Sequence, residues 1–259
     1  MNITVLTYDK IDSTNTEALK QARKGADEGL CIVARQQTAG RGRHGRIWVS
    51  EKDAGLYFSI VLRPKLDTKH VPLITLMTGI AVHDTLQELG LKPDIKWVND
   101  VLVNEKKICG ILAETTDTNV GLAVIVGIGV NIKSSNFPPE IADIATSIEK
   151  SVPPAVAGGL SRSLPTLAST DLVEVLTKYL TYFYNILQHE NGPAEIINEW
   201  RGRSSYFSGK PVRVVLENES IIGVTDGLEA NGALRVKKDD GVLTIVQAGD
   251  VQNLRASLP

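Results

Sequence analysis

Three short clusters hold most of the residues in this chain that could do chemistry. The first is Gly40-Arg41-Gly42-Arg43-His44-Gly45, followed at once by Arg46 and preceded by Arg35. Guanidinium groups present forked donors to phosphate or carboxylate. Glycines give such a segment freedom to open when empty and to close over a polyanionic ligand. A solvated basic loop is the alternative reading of the same residues. The string also matches the dinucleotide fingerprint GxGxxG, but that fingerprint must follow a strand and open a helix. Here the glycines lead into Arg46-Ile47-Trp48-Val49-Ser50 and then a second strand-like run. No GxxxxGK followed by Ser or Thr occurs, which removes the P-loop reading as well.

The second cluster is Lys96-Trp97-Val98-Asn99-Asp100, with Lys107 seven residues beyond Asp100. If residues 104–106 form a turn, Asp100 and Lys107 face each other across a hairpin. On its own that spacing suits a surface charge pair, although Trp97 and Val98 argue against a wholly solvated strand. The third cluster, Gly127-Ile128-Gly129-Val130-Asn131, ends an apolar run. Glycines inside a strand mark either a close backbone approach to a ligand or a bulge, and both readings stand.

These clusters need elements to position them. Thr14, with Glu17 three residues later, has the pattern of a capping box for a first helix that Gly25 would stop. Residues 30–37 and 55–63 read as strands on either side of the arginine segment. Pro72 opens a helix with Leu73, Leu76, Met77, Ile80, Ala81 and Leu86 on buried positions before Gly90. Residues 94–103, 107–116 and 121–132 read as three strands joined by short polar turns, which makes an antiparallel or mixed sheet. A Pro-, Ala-, Gly- and Ser-rich stretch at 151–170 suggests a long loop, and 171–188 and 193–200 read as helices. After Arg203 come short β-rich runs at 212–216, 221–224, 233–236 and 243–246, separated by Gly, Asn and Asp, as in a small barrel.

Composition narrows the function classes. The chain has 259 residues, 42% of them hydrophobic and 22% charged, ordinary values for a globular protein. Lys and Arg total 28 against 30 Asp and Glu, a net charge of -2, where a dedicated nucleic-acid binder is far more basic. The longest apolar stretch, 121–132, is short of the roughly 18 to 20 residues of a spanning helix. The first nine residues carry no secretory signal pattern. Cys31 and Cys109 form no CxxC pair, which suits two buried free thiols and a cytoplasmic setting. The four histidines show no zinc-ligand spacing.

Taken in order, Asp12-Ser13-Thr14-Asn15, the segment from Gln37 through Arg46, Lys96-Trp97-Val98-Asn99-Asp100, Lys107-Ile108-Cys109-Gly110-Ile111-Leu112 and residues 126–131 resemble the biotin protein ligase family. Ala145-Thr146-Ser147-Ile148 and the terminal β-rich module add to the fit. The resemblance runs over essentially the whole chain. Val98 departs from it, standing where the family commonly has proline, and 134–170 matches poorly.

The resemblance implies an α/β (α+β) fold. A mixed, largely antiparallel sheet with flanking helices would form a catalytic domain over 1–203, and a small SH3-like barrel would occupy 204–259. It implies an ATP-dependent ligase that makes biotinyl-5'-AMP, with release of pyrophosphate, and passes biotin to one lysine of a biotin carboxyl carrier protein. Lys107, Arg43 and Asp100 would be catalytic, Asp100 by binding metal or by taking the acceptor lysine's proton. Ser13, Thr14, Asn15, Gln37, Arg41, Gly42, Arg43, Lys107 and Gly110 would bind biotin. Arg41, Arg43, Arg46, Trp48, Asn99, Lys107, Gly127 and Asn131 would bind ATP and the adenylate. Magnesium would arrive with ATP rather than in a site fixed by the protein alone. Only 12 residues precede Ser13, so the ligase-only type is expected, without an N-terminal DNA-binding domain. No specific DNA, no membrane, and a monomer or weak homodimer complete the expectation. A lipoate or octanoyl transferase on the same fold is the rival enzyme, and a biotin- or nucleotide-binding sensor the rival non-enzyme.

Overall fold

The computed structural model describes residues 1–133, 137–152, 169–217 and 219–253. Seven strands, β1 (Thr4–Tyr8), β2 (Leu30–Ala34), β3 (Gly55–Leu62), β4 (Pro93–Lys96), β5 (Asp100–Val103), β6 (Lys106–Thr118) and β7 (Gly121–Asn131), form one sheet. Their order is β1-β2-β3-β7-β6-β5-β4. Only β1 and β2 run parallel, because helix α1 (Thr14–Arg23) carries the chain back between them. The mixed, largely antiparallel sheet is thus present as expected.

Strand β3 is buried along its whole length, and its alternation divides the two sides of the sheet. Leu56, Phe58, Ile60 and Leu62 join the main core. There α2 (Leu73–Glu88), apolar nearly all round, lies between the sheet and helices α4 (Ser169–Leu187) and α5 (Gly192–Arg201). A four-residue helix, α3 (Ile148–Ser151), precedes these two. On the opposite side Val61 packs with Ile32, Ala123 and Ile125 against Ala18 and Ala22 of α1. That second cluster is small, so α1 covers only part of its side of the sheet. The remainder is where the cavity lies.

The structure corrects several expectations. Helix α1 starts one residue early: Ser13 is the N-cap, and Thr14 turns its hydroxyl to Gln37 instead. Residues 94–103 form two strands, not one. The chain folds back at Trp97-Val98-Asn99 so that Lys96 pairs with Asp100. Trp97 is buried there, its Nε1 donating to the carbonyl of Gly232 at 3.0 Å, and the Trp97–Val98 peptide is cis. The next turn is one residue shorter than the expected 104–106, with Asn104 and Glu105 both left-handed (φ 51° and 61°), the geometry of a two-residue hairpin, and Lys106 already in β6. Lys107 nevertheless stands opposite Leu102, as a two-residue turn dictates, and the register shift between Leu102 and Val101 sets Asp100 opposite Gly110. The strand expected over 30–37 ends at Ala34, and β1 arises where no strand was expected. Of the loop expected over 151–170, residues 153–168 lie outside the described residues.

The C-terminal strands β8 (Ser208–Val215), β9 (Ser220–Leu228), β10 (Leu234–Lys237), β11 (Leu243–Val246) and β12 (Asp250–Asn253) form an antiparallel sheet ordered β11-β10-β9-β8-β12. Four of these match the expected runs and β12 is additional. Among the described residues no pairing joins β11 to β12, so the sheet does not close into a barrel. Its inner residues Val212, Val214, Leu234 and Val236 are continuous with the main core. Arg203 secures the connection, with Nε and Nη2 on the two oxygens of Asp84 at 2.7 and 2.9 Å. Among the described residues no helix is long and apolar enough to cross a membrane.

Candidate active site

A cavity of about 610 Å³ opens on the α1 side of the large sheet. The N-terminus of α1, the arginine segment, the β5–β6 hairpin, residues 137–145 and the strand β12 bound it. Its two ends differ in chemistry.

The end near α1 is neutral. Gln37 Oε1 accepts from the Thr14 amide at 2.8 Å and from its hydroxyl at 3.1 Å. Gln37 Nε2 donates to Ser50 Oγ at 2.8 Å, which leaves it one further hydrogen. Ser13 is buried and its hydroxyl makes no cap bond to the helix, so it is free to serve a ligand. Ser59 Oγ, from the middle of β3, lies 2.8 Å from Thr14 Oγ1 and 2.6 Å from Asn15 Oδ1.

The other end is cationic. Lys107 Nζ is 2.6 Å from Asp100 Oδ1, and Lys96 Nζ is 3.3 Å from Oδ2. Burial works to raise the Asp100 pKa, but the two ammonium groups outweigh it and hold the carboxyl below its ordinary value. Arg43 Nη1 donates to Asn99 Oδ1 at 3.1 Å and to the Gly249 carbonyl at 3.3 Å. Burial lowers the Arg43 pKa, Asp100 opposing and Arg46 adding to the shift, yet a guanidinium stays charged at neutral pH. Asn99 is fixed by its own bonds, Nδ2 to the Ile111 carbonyl at 3.0 Å.

Between the ends lies the Trp48 indole. A β-carbon at Gly129 would come within 2.3 Å of that ring, and one at Gly110 within 2.9 Å. A β-carbon at Gly127 would come within 2.1 Å of Asn15 Oδ1. Strand β7 pairs with β3 and β6 without a register shift, so these glycines mark no bulge. They admit side chains of the protein itself, Asn15 and Trp48. Gly127 therefore sits at the neutral end, whereas Asn131 holds the Thr146 carbonyl at 3.0 Å beside the cationic end.

The arginine segment is a hairpin across the cavity mouth. Gly42 N–H donates to the Arg46 carbonyl at 2.7 Å and Trp48 N–H to the Gly40 carbonyl at 2.9 Å. His44 and Gly45 turn the tip with φ of 54° and 71°. Arg41 Nη2 meets Glu114 Oε2 at 2.6 Å, and Arg46 pairs with Asp250. Arg35 faces away, held by Asp9 and Asp53, and takes no part.

The structure thus brings the three clusters and Ser13-Thr14-Asn15 to one cavity. It adds residues to which the sequence reading gave no role in the site: Ser59, Glu114, Lys96, Asp250, and Phe137, Ile141 and Ile144 from the poorly matching segment. Lys96 and Ile144 were within reach, since each lies in or beside a quoted motif. Ser59, Glu114 and Asp250 meet their partners across 44 to 204 residues of sequence, and no local spacing signals that.

Known proteins resemble the chain throughout. Residues 8–131 match the Biotin/lipoate A/B protein ligase family, and 207–252 match the Biotin protein ligase C terminal domain. The biotin–acetyl-CoA-carboxylase ligase of Paracoccus denitrificans is 33% identical over 238 residues, 90% of this chain and 93% of that one. The bifunctional ligase/repressor BirA of Bacillus subtilis is 31% identical over 245 residues, 93% of this chain and 71% of that protein. A solved structure of the Aquifex aeolicus biotin protein ligase in complex with biotin and ATP superimposes with a TM-score of 0.79 at 26% identity, covering 98% of this chain and 99% of that one. With the cavity, its two ends and these relatives in agreement, the chain belongs to the biotin protein ligase family.

Proposed function

We propose that this cavity joins biotin to ATP as biotinyl-5'-AMP and then passes biotin to a lysine of a biotin carboxyl carrier protein. The observation that carries this reading is the polarity of one continuous cavity. Its neutral donors and acceptors, Ser13, Thr14, Asn15 and Gln37, suit an uncharged ureido head. Its cations, Lys107, Arg43 and Lys96, suit a carboxylate meeting a triphosphate. A lipoate or octanoyl tail offers nothing for the neutral polar groups to bond, which favours biotin.

In the first step a biotin carboxylate oxygen attacks the α-phosphorus, and the bond to pyrophosphate breaks. Two anionic groups approach there, so fixed positive charge must offset them. Lys107 supplies it at the point of attack, with Arg43 and Arg46 on the phosphates. Trp48 and the apolar side chains of Phe137 and Ile144 cover the adenosine, with Asn99 and Asn131 lining the adenylate, while Gly127, against Asn15, belongs to the biotin end instead of the adenylate end first expected for it. Arg41 and Gly42 belong to the hairpin that keeps water from the mixed anhydride, and Gly110 keeps the floor low beside it.

Asp100, kept ionised by two ammonium groups, holds Lys107 in place and is a weak base. Magnesium would enter with ATP and shield the phosphates; both Asp100 oxygens already face ammonium groups, so the phosphates would chiefly hold the ion. In the second step the neutral amine of the carrier lysine attacks the acyl carbon, the bond to AMP breaks, and the proton lost from the nitrogen passes to solvent.

We divide the chain into a catalytic domain, 1–203, and a C-terminal domain, 204–259, which latches the hairpin through Asp250. The net charge of -2 gives no footprint for specific DNA binding. Cys31 and Cys109 are free and buried, with burial pushing the Cys31 thiol up to about 12 and raising Cys109 too. Such thiols suit the cytoplasm, where we place the protein as a monomer or weak homodimer without a membrane partner. The test is transfer. Purified protein with ATP, magnesium and biotin should label one lysine of a carrier domain, and lipoate or octanoate should not replace biotin. Equal labelling by all three would refute the biotin reading.

A further inference from the structure

The amide of Asn15 could face the cavity with its oxygen or its nitrogen, and that choice decides which ligand atom it can meet. Two neighbours remove the choice. Glu114 Oε2 lies 2.7 Å from Asn15 Nδ2, and the Leu112 carbonyl oxygen lies 3.3 Å from it. An ionised carboxylate and a carbonyl can only accept, so the nitrogen must face them and both of its hydrogens are used. On the other side the wholly buried Ser59 places its hydroxyl 2.6 Å from Asn15 Oδ1. Oδ1 lies where a β-carbon at residue 127 would stand, 2.1 Å away, so the oxygen rests against bare backbone on the cavity side of the sheet. The Glu114 charge is balanced there, because the same Oε2 takes Arg41 Nη2 at 2.6 Å.

We infer that Glu114 and Ser59 are positioning residues that lock Asn15 as a hydrogen-bond acceptor toward the ligand, so that the site selects a head group presenting an N–H at that point. This rests on the biotin reading above and adds the polarity of one contact to it. One lone pair of Oδ1 takes the Ser59 hydroxyl and the other is left for the ligand. A ureido N–H satisfies it. A ring oxygen in the same place meets Oδ1 as acceptor against acceptor, and neither atom is paired. Ser13 and the spare hydrogen of Gln37 Nε2 have the opposite polarity and serve the ureido carbonyl. Arg41 ties this arrangement to the hairpin, since one carboxylate oxygen holds both the loop cation and the Asn15 nitrogen.

Calorimetry with biotin and with its two cyclic carbamate analogues, each having one ureido N–H replaced by oxygen, tests this. For the wild-type protein the more strongly rejected analogue should bind about 10- to 100-fold more weakly than biotin, the cost of one unpaired buried contact. Glu114→Ala and Ser59→Ala free the amide, and each should reduce that ratio by about tenfold or more. Glu114→Gln keeps a carbonyl acceptor for Asn15 Nδ2 and should retain the ratio, which loss of fold would not allow. If Glu114→Ala does not fold, Ser59→Ala decides in the same direction. An unchanged ratio in the folded variants overturns the inference while the biotin reading survives. So does a wild-type protein that binds biotin without discrimination. A wild-type protein that binds no biotin overturns both.

Discussion

Lys107 Nζ lies 2.6 Å from Asp100 Oδ1 although the two residues are not register partners. The two-residue turn sets Lys107 opposite Leu102, the shift beyond it sets Asp100 opposite Gly110, and the long Lys107 side chain reaches back along the hairpin to Asp100. Lys96, across the Trp97-Val98-Asn99 turn from Asp100, closes on the other carboxylate oxygen at 3.3 Å. One carboxylate therefore aims two ammonium groups into the cationic end of the cavity. A cation aimed before substrate arrives does not have to reorganise during the reaction, and that is the source of its effect on rate.

Removing that cation should be costly and specific. Lys107→Ala should lower the rate of adenylate formation roughly a hundred- to thousandfold without changing the fold. Lys107→Arg should restore only part of it, because a planar fork does not replace a compact ammonium. Lys106, exposed at the first position of β6, is the control. Equal losses at 106 and 107 in rapid-quench measurements would refute the assignment.

Asp100 gives a pH signature. Its folded pKa lies below the unfolded value, so its contribution to stability is complete above the unfolded value, about 4, and disappears as pH falls through the lower folded value. Asp100→Asn should destabilise the protein by about 2 kcal/mol at pH 7. The gap in Tm between wild type and variant should narrow steadily below about pH 4. A gap that stays constant down to pH 2 would contradict the ion-pair account.

Asp250 should act as the latch on the arginine hairpin. Its pair with Arg46 is largely exposed, worth about 1 kcal/mol at most. Asp250→Ala should therefore speed amide exchange in residues 40–48 and release of biotinyl-5'-AMP by up to about fivefold. Unchanged exchange would remove the C-terminal sheet from loop closure.

Gly129→Ala should act through Trp48. A methyl group would come within 2.3 Å of the indole, and relief of such overpacking costs about 1 to 3 kcal/mol. The KM for ATP should rise about tenfold, with a change in Trp fluorescence, while biotin affinity stays within about twofold. An equal loss for both substrates would place Trp48 at the wrong end of the cavity.

The sequence made some of this legible and hid the rest for physical reasons. Helix α2 shows itself because its apolar run is bounded by Pro72 and Gly90. The strand boundary inside 94–103 is hidden because the turn at Trp97-Val98-Asn99 contains no Gly or Pro and its first residue is buried. Strand β1 is an exposed edge with Val5 and Leu6 partly solvated, so it lacks the alternation of a half-buried strand. Gly127 and Gly129 are visible as anomalies in an apolar strand, but what presses on them is a side chain from α1 and one from the hairpin. Lys107, Asp100, Arg43 and Gln37 sit in recognisable motifs. Glu114, Ser59 and Asp250 carry ordinary local patterns and gain their roles only when distant strands meet.

The most direct test is pyrophosphate exchange. With labelled pyrophosphate, ATP and magnesium, the protein should form labelled ATP only when biotin is present, and Lys107→Ala should reduce that exchange roughly a hundred- to thousandfold. Exchange that proceeds without biotin, or that Lys107→Ala leaves intact, would contradict the proposal that this cavity activates biotin through its cationic end.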